Sequence, residues 1–323
     1  MNRLMTAVMI PCALIALASC SAAQAQSYPA KPIRILVGAP PGGSNDILAR
    51  AISQRVSESV GQPVVVENRP GANQMIAADL TAKATPDGYT LYVTSTSYTT
   101  GAALMAKLPF DPVNDLAGIT MLGFGPMVLV VHPSLPAKNT RELIALLRGR
   151  PGQLNYTSSG VGGINHLAME VLKASAKIDI VHVPHKGMGP ALTDLIAGQV
   201  QAVIVGLPSV EAHLKTGRLR VIGVSTAKRS AFAPELPPMA DAVPGYDVSL
   251  WWGIFAAAKT PRAVMERLNA EIHKALATAD VKKRFADFGA EPSPMTPDAF
   301  SAHVRGEIAK WRKVVIDNHI KAE

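Results

Sequence analysis

Ile33-Arg34-Ile35-Leu36-Val37-Gly38-Ala39-Pro40-Pro41-Gly42-Gly43-Ser44-Asn45-Asp46 joins a short apolar run to a helix start. The run Ile33 to Val37 stops at glycine and suits a buried strand. Beyond the loop, Ile47, Leu48, Ala51, Ile52 and Val56 recur at helical spacing, which predicts a helix over Asn45 to Val60. The loop glycines let the backbone approach a ligand, and Ser44, Asn45 or Asp46 can cap the helix. The outward-facing N–H groups at such a helix start suit an anion. A plain strand–helix turn would have the same sequence.

The same unit recurs along the chain. Strands are expected at Val64 to Val66, Thr90 to Thr94, Met127 to Val131, Leu154 to Tyr156, Ile180 to Val183, Ala202 to Val205, Arg220 to Val224 and Gly253 to Ala257. Helical stretches at Met75 to Ala84, Thr140 to Leu147, Ile164 to Ala176, Pro190 to Ala197, Ser209 to Lys215 and Pro261 to Ala277 lie between or after them. Asp280 to Phe288 and Pro297 to Val315 add two more, and a proline-rich connection covers Phe232 to Tyr246. Alternating strands and helices predict an α/β fold of mostly parallel sheets flanked by helices. At 323 residues, two smaller sheets with a cleft between them fit ordinary domain sizes better than one large sheet.

A second loop has the same context. Thr157-Ser158-Ser159-Gly160-Val161-Gly162-Gly163-Ile164-Asn165-His166 leaves a strand and opens a helix in the middle of the chain. Two such loops facing each other would offer neutral backbone and hydroxyl donors from both sides, which suits a carboxylate. Neither loop is a nucleotide signature. No Lys-Ser or Lys-Thr closes a phosphate loop, and Asn165 stands where a dinucleotide fingerprint needs its third glycine. No G-x-S-x-G elbow is present, which weighs against an α/β-hydrolase. Ser158 or Ser159 with His166 leaves an exported hydrolase as an alternative, although no orienting acid is evident. His182 and His185 lack a matching pair of metal-ligating residues nearby, so neither metal nor cofactor is expected. Trp251-Trp252 suits either a cleft wall or a core.

Composition narrows the class. Hydrophobic residues make up 48% and charged residues 17%, so the chain can build a core and is not disordered. The net charge is +8, but the Lys and Arg residues are scattered and aromatics are only 5%, so no nucleic-acid surface is expected. Met1-Asn2-Arg3, the apolar run from Ala7 to Ala18 and Ala23-Gln24-Ala25 have the layout of a secretory signal, residues 1–25, cleaved near Ala25. Leu17-Ala18-Ser19-Cys20 offers the alternative of a lipoprotein anchored at Cys20. Both cysteines, Cys12 and Cys20, lie in this leader, so the exported chain would need no disulfide.

A series of segments spans the mature chain in order: Tyr28-Pro29-Ala30-Lys31-Pro32-Ile33, Pro41-Gly42-Gly43-Ser44-Asn45-Asp46, Val66-Glu67-Asn68-Arg69-Pro70-Gly71-Ala72 and Pro86-Asp87-Gly88-Tyr89-Thr90-Leu91. Leu135-Pro136-Ala137-Lys138, the loop Ser158 to His166, Lys186-Gly187, Pro208-Ser209 and Trp252-Gly253-Ile254-Phe255-Ala256 follow. In this order the chain resembles the Bug-type receptors of tripartite tricarboxylate transporters. The resemblance implies a two-lobed periplasmic-binding-protein (Venus-flytrap) fold with two crossovers. One lobe is expected to be residues 26–126 plus 250–323 and the other residues 127–249. It implies a periplasmic, non-enzymatic monomer that binds a small carboxylate, such as a dicarboxylate, tricarboxylate or aromatic acid. Its partners would be the integral membrane subunits of the transporter; a sensing role for a signalling partner is the alternative. The expected ligand-binding residues are Pro41, Gly42, Gly43, Ser44, Asp46, Ser95, Ser158, Ser159, Gly160, Val161, Gly162, Asn165, His166, Lys186, Gly206 and Trp252.

Four departures from the family pattern fall near the expected cleft. Gly38-Ala39 stands where an aromatic is usual, Asn73-Gln74 replaces Gly-Gly, His185 replaces a tyrosine, and Gly206 stands where some members place an acid. Loss of that acid removes a counter-ion for a ligand ammonium, so plain organic acids are expected over amino acids.

Overall fold

The computed structural model describes residues 28–105 and 107–321. The expected leader, its cleavage site and Cys20 lie outside the described residues. In chain order the elements are β1 (Ile33–Val37), α1 (Ser44–Val60), β2 (Val64–Asn68), α2 (Met75–Ala82), β3 (Thr90–Ser95), α3 (Ser97–Leu104) and β4 (Leu116–Val131). Next come α4 (Thr140–Gly149), β5 (Asn155–Ser158), α5 (Ile164–Ala176), β6 (Val181–Pro184), α6 (Met188–Ile196), β7 (Ala202–Gly206), α7 (Glu211–Lys215) and β8 (Arg220–Val224). The chain ends with β9 (Ser249–Ala257), α8 (Arg262–Ala277), α9 (Ala279–Ala286), β10 (Glu291–Pro292) and α10 (Pro297–Asp317).

Local chemistry sets the ends of several of these. Gly61 closes α1 in the left-handed region and returns its N–H to Ser57 O. Asn139 caps α4 by accepting the Glu142 N–H, while Glu142 reaches back to Lys138 N, a reciprocal capping arrangement. Pro297 opens α10 behind a Thr296 cap.

The strands run in the order β2-β1-β3-β9-β4-β7-β5-β6, with β8 and β10 also paired to β4. Strands β1, β2 and β3 are mutually parallel, as are β5, β6 and β7. The expected parallel character therefore holds for the βα units. The strands at the centre run antiparallel to their neighbours, because β4 and β9 carry the chain outward and back. Strand β4 changes partners along its length. Leu116 to Pro126 pairs with β9, and Met127 to Val131 pairs with β7 on one edge and β8 on the other. Pro126, with no N–H to donate, stands at the change. This seam divides the sheet into two parts.

Each part is covered by helices on both faces, and the period of two shows in the packing. Leu36 packs with Tyr92, Trp251 and Phe300, whereas Ile35 and Val37 face Leu48, Ile254 and Leu268. In the second part Leu129 and Val131 join Tyr156, Leu167 and Ile204, whereas Val128 and Val130 join Leu195 and Val203. Helix α10 touches both parts. Phe300, Val304 and Ile308 pack on the first, and Trp311 and Val315 on the second. Among the described residues no helix is long and apolar enough to cross a membrane.

Candidate functional site

Strand register determines where the two glycine loops emerge. Ser95, at the carboxyl end of β3, is opposite Trp252, which is opposite Gly123 of β4, close to the seam. Strand β1 lies parallel to β3, so the loop 39–46 leaves on the same side. In the second part Gly206, the carboxyl end of β7, is opposite Met127 at the seam. Strand β5 runs parallel to β7, and Asn165 Nδ2 donates to Ile204 O at 2.7 Å. The loop 158–166 is thereby held at the same level. Both loops leave carboxyl strand ends at the junction of the two parts, the usual place for ligands in open α/β sheets.

Helix α3 connects the segment 72–74 to the second loop. Asn73 packs at Gly101, where an added Cβ would lie 3.2 Å from Asn73 Cβ. One turn on, the Leu104 side chain occupies the space a Cβ at Gly162 would need.

The first loop is built around Asp46. This buried carboxylate accepts the Gly42 N–H at 2.9 Å, Asn68 Nδ2 at 3.0 Å and Arg50 Nε at 3.0 Å. Burial raises its pKa, but these hydrogen bonds and the Arg50 charge prevail and hold it below the usual carboxylate value. Asp46 thus braces the loop from behind, with both oxygens already engaged. Pro41, Gly42 and Gly43 remain exposed. Ser44 Oγ accepts the Trp252 indole N–H at 3.1 Å. Trp252 is 4% exposed and packs edge-on to Phe285, so it is a core residue that tethers the loop. Ser95 is buried at the end of β3.

The second loop is tied internally. Gly160 and Gly162 adopt φ of 139° and 74°, which glycine alone accommodates readily. Ser159 Oγ donates to Asn165 Oδ1 at 3.0 Å. The Gly162 N–H donates to His166 Nδ1 at 3.0 Å. Val161 is half-buried at the tip. Lys186 is exposed on the adjoining loop, where Gly187 N donates to Ser159 O at 3.2 Å.

The Ser–His pairing of the alternative hydrolase reading does not occur. His166 uses one ring nitrogen on Gly162 and turns the other toward Glu170 at 3.9 Å. The neighbour of Ser158 Oγ is His182 Nε2, at 2.7 Å, and Ser158 is fully buried. His166, His182 and Tyr156 form a stack, with centroids 4.0 Å apart between the histidines and 4.7 Å between His182 and Tyr156. Burial first, then the Lys173 charge, pushes His166 down to about 4. Burial first, then His166, pushes His182 down to about 4. Both rings are therefore neutral and serve as hydrogen-bonding supports for the loop. His185, on the strand's far side, lies 2.8 Å from Thr157 Oγ1 and 2.7 Å from Asp194 Oδ2. Among the described residues no group of three or more His, Cys, Asp or Glu side chains is arranged to hold a metal.

Two helix-covered sheet parts joined by crossing strands, with glycine loops at the junction, define a two-lobed solute-binding protein. Residues 48–320 match the model of the tripartite tricarboxylate transporter family receptor, and the chain belongs to that family. Protein BugT of Bordetella pertussis is 37% identical over 300 residues, covering 92% of each chain. The solved structure of R. palustris Rpa4515 with adipate superposes with a TM-score of 0.79 at 34% identity, covering 91% of this chain and 99% of that one. MatC from Rhodopseudomonas palustris with bound malate gives 0.75 at 31% identity, covering 89% and 100%. Receptors of this family are periplasmic solute-binding proteins that work with membrane transporter components, and they are not enzymes.

Sequence reasoning missed Thr94, Ser97 and Leu104 as site-forming residues, and it noted Asn45, Gln74 and His182 without giving them the roles they take here. For Gln74 a signal existed, in the replacement of the family's Gly-Gly by Asn73-Gln74 beside an unusual Gly38.

Proposed function

We propose that this chain captures a small carboxylate, a dicarboxylate, tricarboxylate or aromatic acid, between its two glycine loops and delivers it to a tripartite tricarboxylate-type transporter. The observation that carries the reading is the register that brings the carboxyl ends of β1, β3, β5 and β7 to one seam. The lobes in this reading are residues 26–126 plus 250–323 and residues 127–249, meeting where β4 changes partners and where Val248 leads into β9. The ligand carboxylate docks at the loops 39–46 and 158–166, and Ser95, Ser159, Lys186 and Gly206 lie around the ligand. Neutral, fixed donors suit an anion because they need little reorganisation on binding. Closure about the two crossings follows from tighter binding to the closed form. The adipate and malate carried by two similar structures are consistent with this ligand class.

A thermal-shift screen of the purified mature chain against succinate, malate, adipate, citrate, benzoate and glutamate tests the proposal. A ligand at about 100 times its Kd adds roughly 2.7 kcal/mol of stability. At least one plain organic acid is expected to do so, and more effectively than glutamate. If no acid shifts the melt while a neutral solute does, the proposal is wrong.

A further inference from the structure

The segment Ala72-Asn73-Gln74 holds three successive non-glycine residues in the left-handed region, at φ of 47°, 48° and 74°. Each such residue costs about 1 kcal/mol or more, and such strain persists only where the surroundings over-determine it. Here they do so at Gln74. Its backbone N–H donates to Gly71 O at 2.9 Å, and its carbonyl accepts from Tyr92 OH at 3.1 Å. Its side-chain Oε1 accepts from Thr94 Oγ1 at 2.7 Å and from Asn45 Nδ2 at 2.9 Å.

Gly38 is what makes room for this side chain. A Cβ at Gly38 would lie 2.5 Å from Gln74 Cβ, closer than real atoms approach. Two departures from the family pattern thus meet in space: the absence of a side chain at Gly38 leaves room for the amide at position 74.

With Oε1 committed, the amide nitrogen faces the opposite way, and its donors are poorly satisfied. The nearest acceptor is Ser95 Oγ at 3.5 Å, and Ser95 Oγ in turn lies 3.5 Å from Ser97 Oγ. Both distances are at the outer limit for a hydrogen bond. An amide and two hydroxyls therefore form a loosely paired, neutral donor group beside the first glycine loop, at the end of β3.

We infer that Gln74 is a specificity-determining residue, and that Gln74 Nε2 with Ser95 and Ser97 receives a second carboxylate of the ligand, so that the cleft prefers linear dicarboxylic acids. The inference rests on the carboxylate-binding function proposed above. A monoacid would leave these donors unpaired in the closed cleft, and a site built to bond a group rejects analogues lacking it. A ligand ammonium would find no counter-charge here, since the group is neutral.

The test compares matched pairs, adipate with hexanoate and succinate with butyrate, by calorimetric titration of wild type, Gln74→Glu and Ser97→Ala. Wild type is expected to bind the diacid of at least one pair more tightly than its monoacid by about 10- to 100-fold, the range of a hydrogen bond to a charged group. Gln74→Glu keeps an oxygen for Thr94 and Asn45 but repels a carboxylate. It is expected to erase the preference by weakening the diacid and not the monoacid. Ser97→Ala reduces the preference several-fold and keeps the test alive if the first variant fails to fold. Equal wild-type affinity for diacid and monoacid overturns the inference while leaving carboxylate binding intact, as does parallel loss of both in the variants. Failure of wild type to bind any of the four acids or any acid of the thermal-shift panel overturns the functional proposal, and this inference with it.

Discussion

Leu104, at the end of α3 on the first part of the sheet, is seated on Gly162 of the second, filling the space a side chain there would need. Leu104 packs in the core cluster of Met127, Leu129 and Leu167, so the contact ties one glycine loop to the segment that follows the other lobe's strand β3. Gly162 also holds φ of 74°. Gly162→Ala is therefore expected to lower stability by about 1–3 kcal/mol, from overpacking and from backbone strain. Leu104→Ala, which opens space at the same point, should recover part of the loss in the double variant. Thermal denaturation of the four proteins in a double-mutant cycle measures this, and simple additivity would contradict the contact.

Ser225 clips the two crossings together. Its hydroxyl accepts the Met127 N–H at 2.9 Å and donates to Val248 O at 2.5 Å, and its own N–H donates to Met127 O at 2.9 Å. Ser225 is fully buried. Ser225→Ala leaves the Met127 N–H and one Val248 lone pair without the hydroxyl, at a cost of about 1–3 kcal/mol. Denaturant titration should show a lowered midpoint with unchanged slope. Unchanged stability would mean the hydroxyl bridge contributes nothing.

Asp46 sets the shape of the first loop, and its charge matters for that. Its folded pKa is depressed, so its contribution is complete above the unfolded value near 4 and is lost as pH falls through the lower folded value. Asp46→Asn keeps one acceptor but loses the charge that Gly42, Asn68 and Arg50 bond. It is expected to cost about 1–3 kcal/mol at neutral pH and to weaken ligand binding through the loosened loop. The difference between variant and wild type should shrink below pH 4, read from melts between pH 3 and 7.

The stacked histidines act at a different pH. His166 and His182 both titrate at about 4 in the folded chain, below the ordinary 6.5. The unfolded chain therefore takes up these protons first as pH falls. Stability supported by the neutral rings is complete above 6.5 and is lost between 6.5 and about 4, with a limiting slope of about 1.4 kcal/mol per pH unit per ring. Denaturant melts across that window should show the decline in wild type and a shallower one in His182→Gln, where Gln can still bond Ser158. An identical slope in the two proteins would remove His182 from the account.

Much of the local architecture was legible in the sequence. The strand and helix bounds around both glycine loops agree with the structure to within a few residues, because side-chain periodicity and glycine turns are local properties. Besides the two-residue strand β10, two elements were not legible. The expected strand Met127 to Val131 is the last third of a 16-residue strand. Gly118, Gly123, Gly125 and Pro126 interrupt its earlier part, and the register shifts at two points there. Those glycines exist for packing; at Gly118 a Cβ would lie 2.6 Å from the Phe300 ring. Helix α3, Ser-Tyr-Thr-Thr-Gly-Ala-Ala-Leu, has no polar face to reveal it, because it is buried on most sides.

By itself, then, the sequence determined the βα units, the places of the two glycine loops and, through the ordered motifs, the receptor family. Each of these depends on residues close together in the chain. Tertiary structure alone decided that the two loops share a seam, that Ser158 meets His182 rather than His166, and that Gly38 yields its space to Gln74. The last two contacts join residues 24 and 36 positions apart, and the register of the shared strands, not local preference, sets which of them meet.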